Sequence, residues 1–99
     1  MTHQAPLMEA LSAFFATGQP TRLKVFEDGV EVTQARDPVR TNYQRIRYEQ
    51  IAQVMLRRGF FFSDLVIETR GGGTLTAVGL PKREAREARE LIEQRLGGR

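Results

Sequence analysis

The chain has 99 residues, 40% hydrophobic and 27% charged, with a net charge of +3 and no cysteine. That suffices for one domain with a single core, and it excludes a disordered chain, a disulfide framework, a thiolate nucleophile and a sulfur-ligated metal. The excess charge lies in residues 51–99, where nine basic side chains face six acidic ones; residues 1–50 balance at six and six.

Leu7, Met8, Leu11, Phe14 and Phe15 recur at helical spacing. A short amphipathic helix is therefore expected over 6–17, opened by Pro6 and stopped by Gly18 and Pro20. So short a helix needs a surface to dock on, its own core or a partner. Phe14 and Phe15 are accordingly protein-contact candidates. Residues 1–20 read as an N-terminal helix and tail ahead of a compact unit, 21–99. No stretch reaches the ~20 apolar residues of a membrane-spanning helix. The residues before Leu7 also lack the Lys or Arg of a secretory signal, so a cytoplasmic protein is expected.

From Thr21 the hydrophobic period changes to two. Asp28-Gly29 between two β-rich runs predicts a hairpin of 21–26 with 30–35 through a type I′ turn. Pro38 marks a loop over 36–40. Thr41–Tyr48 is a third strand, Glu49-Gln50 a turn, and Ile51–Arg58 a fourth strand. Gly59 turns the chain into the Phe60-Phe61-Phe62 run and a fifth strand ending near Arg70, with Leu65, Ile67 and Thr69 on one face. Gly71-Gly72-Gly73 closes the next hairpin, and Thr74–Val78 is the sixth strand. Pro81 then opens a helix over Lys82–Leu96, whose Ala85, Ala88, Ile92 and Leu96 share a face, and Gly97-Gly98 ends it. The fold class is α+β, mainly β: a strongly bent antiparallel sheet or partial barrel of about six strands, capped by the C-terminal helix.

Little of this carries chemistry. The glycine run precedes a strand, with no Lys-Ser/Thr and helix to cradle a phosphate, so it is a hairpin turn. His3 is the only histidine. Asp64 and Glu68 share a strand face, but nothing marks the split pKa values of an acid–base pair. No catalytic residue, metal ligand or cofactor is assigned, and an enzyme is not expected. Arg83/Glu87, Arg86/Glu90 and Arg89/Glu93 are i, i+4 pairs that keep the outer helix face soluble.

Two groups remain. Arg45, Arg47, Arg57, Arg58 and Arg70, with Tyr43 and Tyr48 beside them, are candidates for binding an anion such as nucleic acid or an anionic membrane surface. Phe60, Phe61 and Phe62 are consecutive, and alternation buries at most alternate residues, so at least one ring faces outward as a protein-contact candidate.

Arg45-Ile46-Arg47-Tyr48-Glu49-Gln50-Ile51-Ala52-Gln53-Val54, then Arg58-Gly59-Phe60, Leu65-Val66-Ile67-Glu68-Thr69, a glycine hairpin and a Pro-led helix resemble the bacterial pleckstrin-homology-like (PH-like) domains across roughly residues 21–96. The resemblance implies a bent sheet or partial barrel closed by the C-terminal helix, and a non-catalytic scaffold with oligomeric relatives. The sequence departs from it in showing six strands where a full barrel has seven, which leaves a sheet edge to be covered. It also has a short acidic turn, Glu27-Asp28-Gly29, where phosphoinositide-binding relatives carry a longer basic loop, so that activity is not carried over. The expected function is protein–protein contact or self-association through a sheet edge and the exposed aromatics; polyanion binding through the strand arginines is the alternative.

Overall fold

The structure is a computed structural model that describes residues 5–12, 21–35 and 41–97. Seven strands and one helix run through these residues: β1 (Met8–Leu11), β2 (Thr21–Val25), β3 (Gly29–Ala35), β4 (Thr41–Arg47), β5 (Ile51–Arg58), β6 (Phe62–Thr69), β7 (Thr74–Pro81) and α1 (Lys82–Gly97). β1–β4 form one antiparallel sheet in chain order and β5–β7 a second. Both contribute to one core, and they do not join into a closed barrel.

The expected helix over 6–17 is a strand where it is described. Met8 lies opposite Val25 and Leu11 opposite Arg22. The Leu7 N–H donates to the Val25 carbonyl at 2.6 Å and the Ser12 N–H to the Thr21 carbonyl at 2.8 Å, lengthening the ladder at both ends. Ala10 and Ser12 alternate inward and are buried, while the larger Leu7 and Leu11 stay exposed. The helical spacing of the large side chains was thus the wrong period, and pairing with β2 decides the conformation. Among the described residues the strands number seven, not six. Residues 13–17 of that helix, with Phe14 and Phe15, the loop over 36–40 and His3 lie outside the described residues.

Register gives the first sheet two unlike faces. Met8, Val25, Val30 and Ile46 lie in one row across its four strands, and Val25, Val30 and Ile46 are buried. The neighbouring row, on the other face, is Glu9, Lys24, Glu31 and Arg45, alternating in sign at every step. Opposite charges directly across a strand pair contribute ~0.2–1 kcal/mol each, so the row favours this register over its neighbours.

The β2–β3 connection differs from the expected type I′ turn. Its two loop residues are Glu27 and Asp28, closed by the Phe26 N–H on the Gly29 carbonyl at 2.7 Å. Among the described residues only Gly72 and Gly79 have positive φ, so the turn lacks the left-handed residues that type I′ requires. Gly29 is needed for another reason: a Cβ there would run into the Ile46 carbonyl oxygen of β4.

A single 3-10 turn, Tyr48–Gln50, carries the chain from β4 in the first sheet to β5 in the second. The Arg47 N–H donates to Gln50 Oε1 at 2.9 Å, and the Arg70 N–H to the Gln50 carbonyl at 2.8 Å. The buried Tyr48 hydroxyl donates to the Phe26 carbonyl at 2.5 Å, tying the crossover to the β2–β3 turn. Desolvation pushes that phenol up to about 12, with the charges of Glu27 and Asp28 adding to the rise and Arg95 opposing it.

Two register shifts interrupt the second sheet, one between Ile51 and Gln53 in β5 and one opposite Ser63 and Leu65 of β6, where β7 carries the extra residue between Ala77 and Leu80. At the second shift Gly79 has φ 71° and its N–H donates to Asp64 Oδ1 at 3.0 Å. Each shift reverses the inward-outward phase of its strand. Ile51 and Val54 can both be buried, as can Ala77 and Leu80, although the members of each pair are three positions apart. Beyond β7, α1 lies against both sheets with Ala85, Ala88 and Ile92 fully buried at the i, i+3, i+7 spacing of one helical stripe. Arg95 reaches from its last turn to Glu27 at 3.0 Å. Of the three expected i, i+4 pairs, the described contacts include Arg89–Glu93, at 3.8 Å.

Candidate contact surface

The β5–β6 hairpin turns in two residues, Phe60 and Phe61, closed by the Gly59 N–H on the Phe62 carbonyl at 2.8 Å. A Cβ at Gly59 would sit 2.6 Å from that same oxygen, so the tight turn depends on glycine. Phe60 and Phe61 are therefore carried clear of both sheets, 87% and 74% exposed, with ring centroids 4.8 Å apart and planes tilted 55°. Phe62, the first residue of β6, pairs with Pro81 and is half-buried. The run thus divides into two rings in solvent and one packed at the base of the hairpin. A Phe ring left in water contributes none of the ~1.5–3 kcal/mol its burial would, so the tip adds nothing to the stability of the isolated fold.

The five candidate arginines do not form one patch. Arg45 lies over the Phe26 ring, 4.5 Å from its centroid, and pairs with Asp28 at 3.1 Å and with Glu31 at 3.9 Å. The buried Glu31 also accepts the Tyr43 hydroxyl at 2.8 Å. Burial works against the Arg45 charge, but its hydrogen bonds to Asp28 and Tyr43 outweigh this and hold the guanidinium above its ordinary value. Arg45 is therefore committed to the fold. Arg47 pairs with Glu49 at 3.6 Å and Arg57 with Asp64 at 4.0 Å, both exposed and weak. Arg58 ends β5, seven residues along from Ile51, which at a rise of ~3.3 Å per residue is about 23 Å from the crossover. Arg70 sits beside Arg45 in an open groove of about 740 Å³ between β4 and the β6–β7 turn, walled also by Tyr43, Ile46, Gln50 and Leu75.

The carboxylates that alternation placed on one face of β6 serve the backbone and its neighbours. Asp64 accepts the Gly79 N–H, and Glu68 accepts the Gln53 amide at 2.5 Å. Among the described residues no group of three or more His, Cys, Asp or Glu could hold a metal ion, and no helix is long and apolar enough to cross a membrane.

Sequence reasoning missed Lys82, which it read only as the start of the helix, and Arg86, which it placed on the soluble outer helix face with Glu90. In the structure they meet Arg58 and Ser63 around a cavity of about 170 Å³ beside the aromatic tip. Their i, i+4 spacing was visible, but the approach of Arg58 depends on the Phe62–Pro81 pairing, which no local pattern reveals. No protein-family model, curated protein or solved structure matches the chain.

Proposed function

We propose that the chain is a non-catalytic interaction module of PH-like fold that docks on protein, in the first instance a second copy of itself, through the Phe60–Phe61 tip of the β5–β6 hairpin. The observation that carries this is the pair of adjacent rings, 87% and 74% exposed, fixed by a glycine-dependent turn. Buried aromatic anchors dominate protein interfaces, and two rings on a two-residue turn lose little conformational freedom on docking. Support for the PH-like reading comes from a four-stranded and a three-stranded antiparallel sheet with one helix packed on both. β1 supplies the strand that sequence patterning lacked, and residues 27–28 belong to the second strand-to-strand connection, not the first. A cytoplasmic setting is part of the same proposal.

Light scattering coupled to chromatography tests it over a range of protein concentration. The expected result is a mass that rises above the monomer with concentration and returns to it in Phe61→Asp. Because Phe61 is exposed, that variant should unfold within about 0.5 kcal/mol of the parent. A mass that stays monomeric, or one that rises equally in the variant, overturns the reading.

A further inference from the structure

Beside the tip, the end of β5, the start of β6 and the first two turns of α1 enclose a cavity of about 170 Å³ lined by Leu56, Arg58, Ser63, Lys82 and Arg86. Three cations converge on it and no carboxylate lines it. Among the described residues Arg58, Lys82 and Arg86 form no ion pair, unlike Arg45 and Arg47 on β4 and Arg57 beside Arg58 on β5. All three are exposed, so water screens their repulsion, but with no carboxylate among the lining residues the cavity presents net positive charge to a ligand.

Two further features point the same way. Ser63 is 3% exposed and contributes to the cavity wall, and its hydroxyl makes no hydrogen bond to a described residue. The residue is buried, yet its oxygen is not among the buried side-chain atoms left without a partner, so it is reached from the cavity and can donate into it. The cavity also lies at the N-terminus of the 16-residue α1, where the backbone N–H groups of the first turn lack intrahelical acceptors. The residue before the helix is Pro81, whose side chain offers no oxygen to cap them.

The geometry points to a binding site for a phosphate-type oxyanion held by Arg58, Lys82 and Arg86, with Ser63 as hydroxyl donor and the N-terminus of α1 behind it. Arg58 and Arg86 supply planar N–H pairs suited to phosphate oxygens, and Lys82 supplies a point charge. The volume admits one phosphate group with part of its water shell. Such a group can come free in solution or as the headgroup of a lipid, and the adjacent Phe60 and Phe61 would meet the acyl region in the second case.

Titration of the full chain with inorganic phosphate, against sodium chloride at equal ionic strength, tests the site by calorimetry and by thermal unfolding. The expected result is saturable binding and a raised Tm with phosphate that chloride does not reproduce. Arg58→Ala and Arg86→Ala each weaken binding at least about ten-fold, the loss of one charge-assisted contact. Arg83→Ala removes the same charge from the same helix end without touching the cavity and changes affinity less than about two-fold. Equal weakening in all three variants, or no difference between phosphate and chloride, overturns the assignment. Sedimentation with phosphatidylcholine vesicles carrying phosphatidic acid identifies the source. Binding lost in both Arg86→Ala and the Phe60→Ser/Phe61→Ser variant assigns a lipid headgroup; phosphate binding with no vesicle binding assigns the free anion.

Discussion

The β2–β3 and β5–β6 turns are built alike and finished differently. Each has two loop residues and a glycine set against a backbone carbonyl, and each carries phenylalanine. At β2–β3, Phe26 is 5% exposed beneath Arg45, Asp28 is paired to that arginine, Glu27 is held by Arg95, and the Phe26 carbonyl takes the Tyr48 hydroxyl. At β5–β6 two rings stand in solvent, and Arg58, Lys82 and Arg86 lie near them without a carboxylate. An internally satisfied turn belongs to the fold. A turn left with apolar and charged surface is the kind through which we propose the chain docks.

Four substitutions would break or sharpen this contrast. The largest effect is expected at Gly29, with Gly59 as its comparison. Gly29→Ala drives a methyl into the Ile46 carbonyl within the β3–β4 ladder, and should destabilise by about 2–3 kcal/mol in urea unfolding. Gly59→Ala meets only the Phe62 residue of an exposed tip that can shift, and should lose about 1 kcal/mol. Equal losses would mean that the tip is as fixed as the closed turn.

Tyr48→Phe comes next. It leaves the Phe26 carbonyl without its donor, at a cost of about 1–3 kcal/mol at neutral pH. It also changes the response to alkali. Tyr48 is raised from its ordinary 10.0 to about 12. Below about pH 10 the phenol is protonated whether the chain is folded or unfolded. Between about pH 10 and 12 only the unfolded chain ionises, so parent stability falls as pH rises, by on the order of 2 kcal/mol. Urea unfolding at pH 8 and pH 11 should show that fall in the parent and a smaller one in Tyr48→Phe; parallel falls would remove Tyr48 from the closed turn's account.

An effect as small as that of Gly59→Ala is expected from Arg45→Met, which keeps cover over Phe26 but takes the charge from Asp28 and Glu31. A loss of about 1 kcal/mol is expected, reduced by added salt. A variant as stable as the parent at low salt would show that the pairing at this turn is ornamental.

Much of the fold was legible because its signals are local. β3 to β6 and α1 follow alternation and helical spacing, and Ala85, Ala88 and Ile92 were assigned to the packed face where they lie. The failures came where distant partners decide. β1 was read as helix because Leu7, Met8 and Leu11 outweigh small Ala10 and Ser12 in any periodicity, although the small residues are the buried ones. Gly29 was read through turn conformation, whereas its role is set by β4, 17 residues downstream of it in Ile46. Of the surface candidates, Phe60 and Phe61 were evident from three consecutive aromatics beside a glycine. Lys82 and Arg86 were not, because one helix face looks alike in sequence whether it meets solvent or another cation.

The extra residue at Gly79 makes β7 a counting device. With it, Ala77 and Leu80 face the same core, and α1 leaves Pro81 with its apolar stripe aimed at both sheets. Were the ladder regular over the same residues, Ala77 and Leu80, three positions apart, would face opposite sides and Leu80 would turn outward. The bulge is thus what lets an odd spacing serve one core. Gly79 shapes it with a φ of 71° and an N–H on Asp64, so a side chain at 79 is strained in a way that one at Gly71, which stands in open space without positive φ, is not.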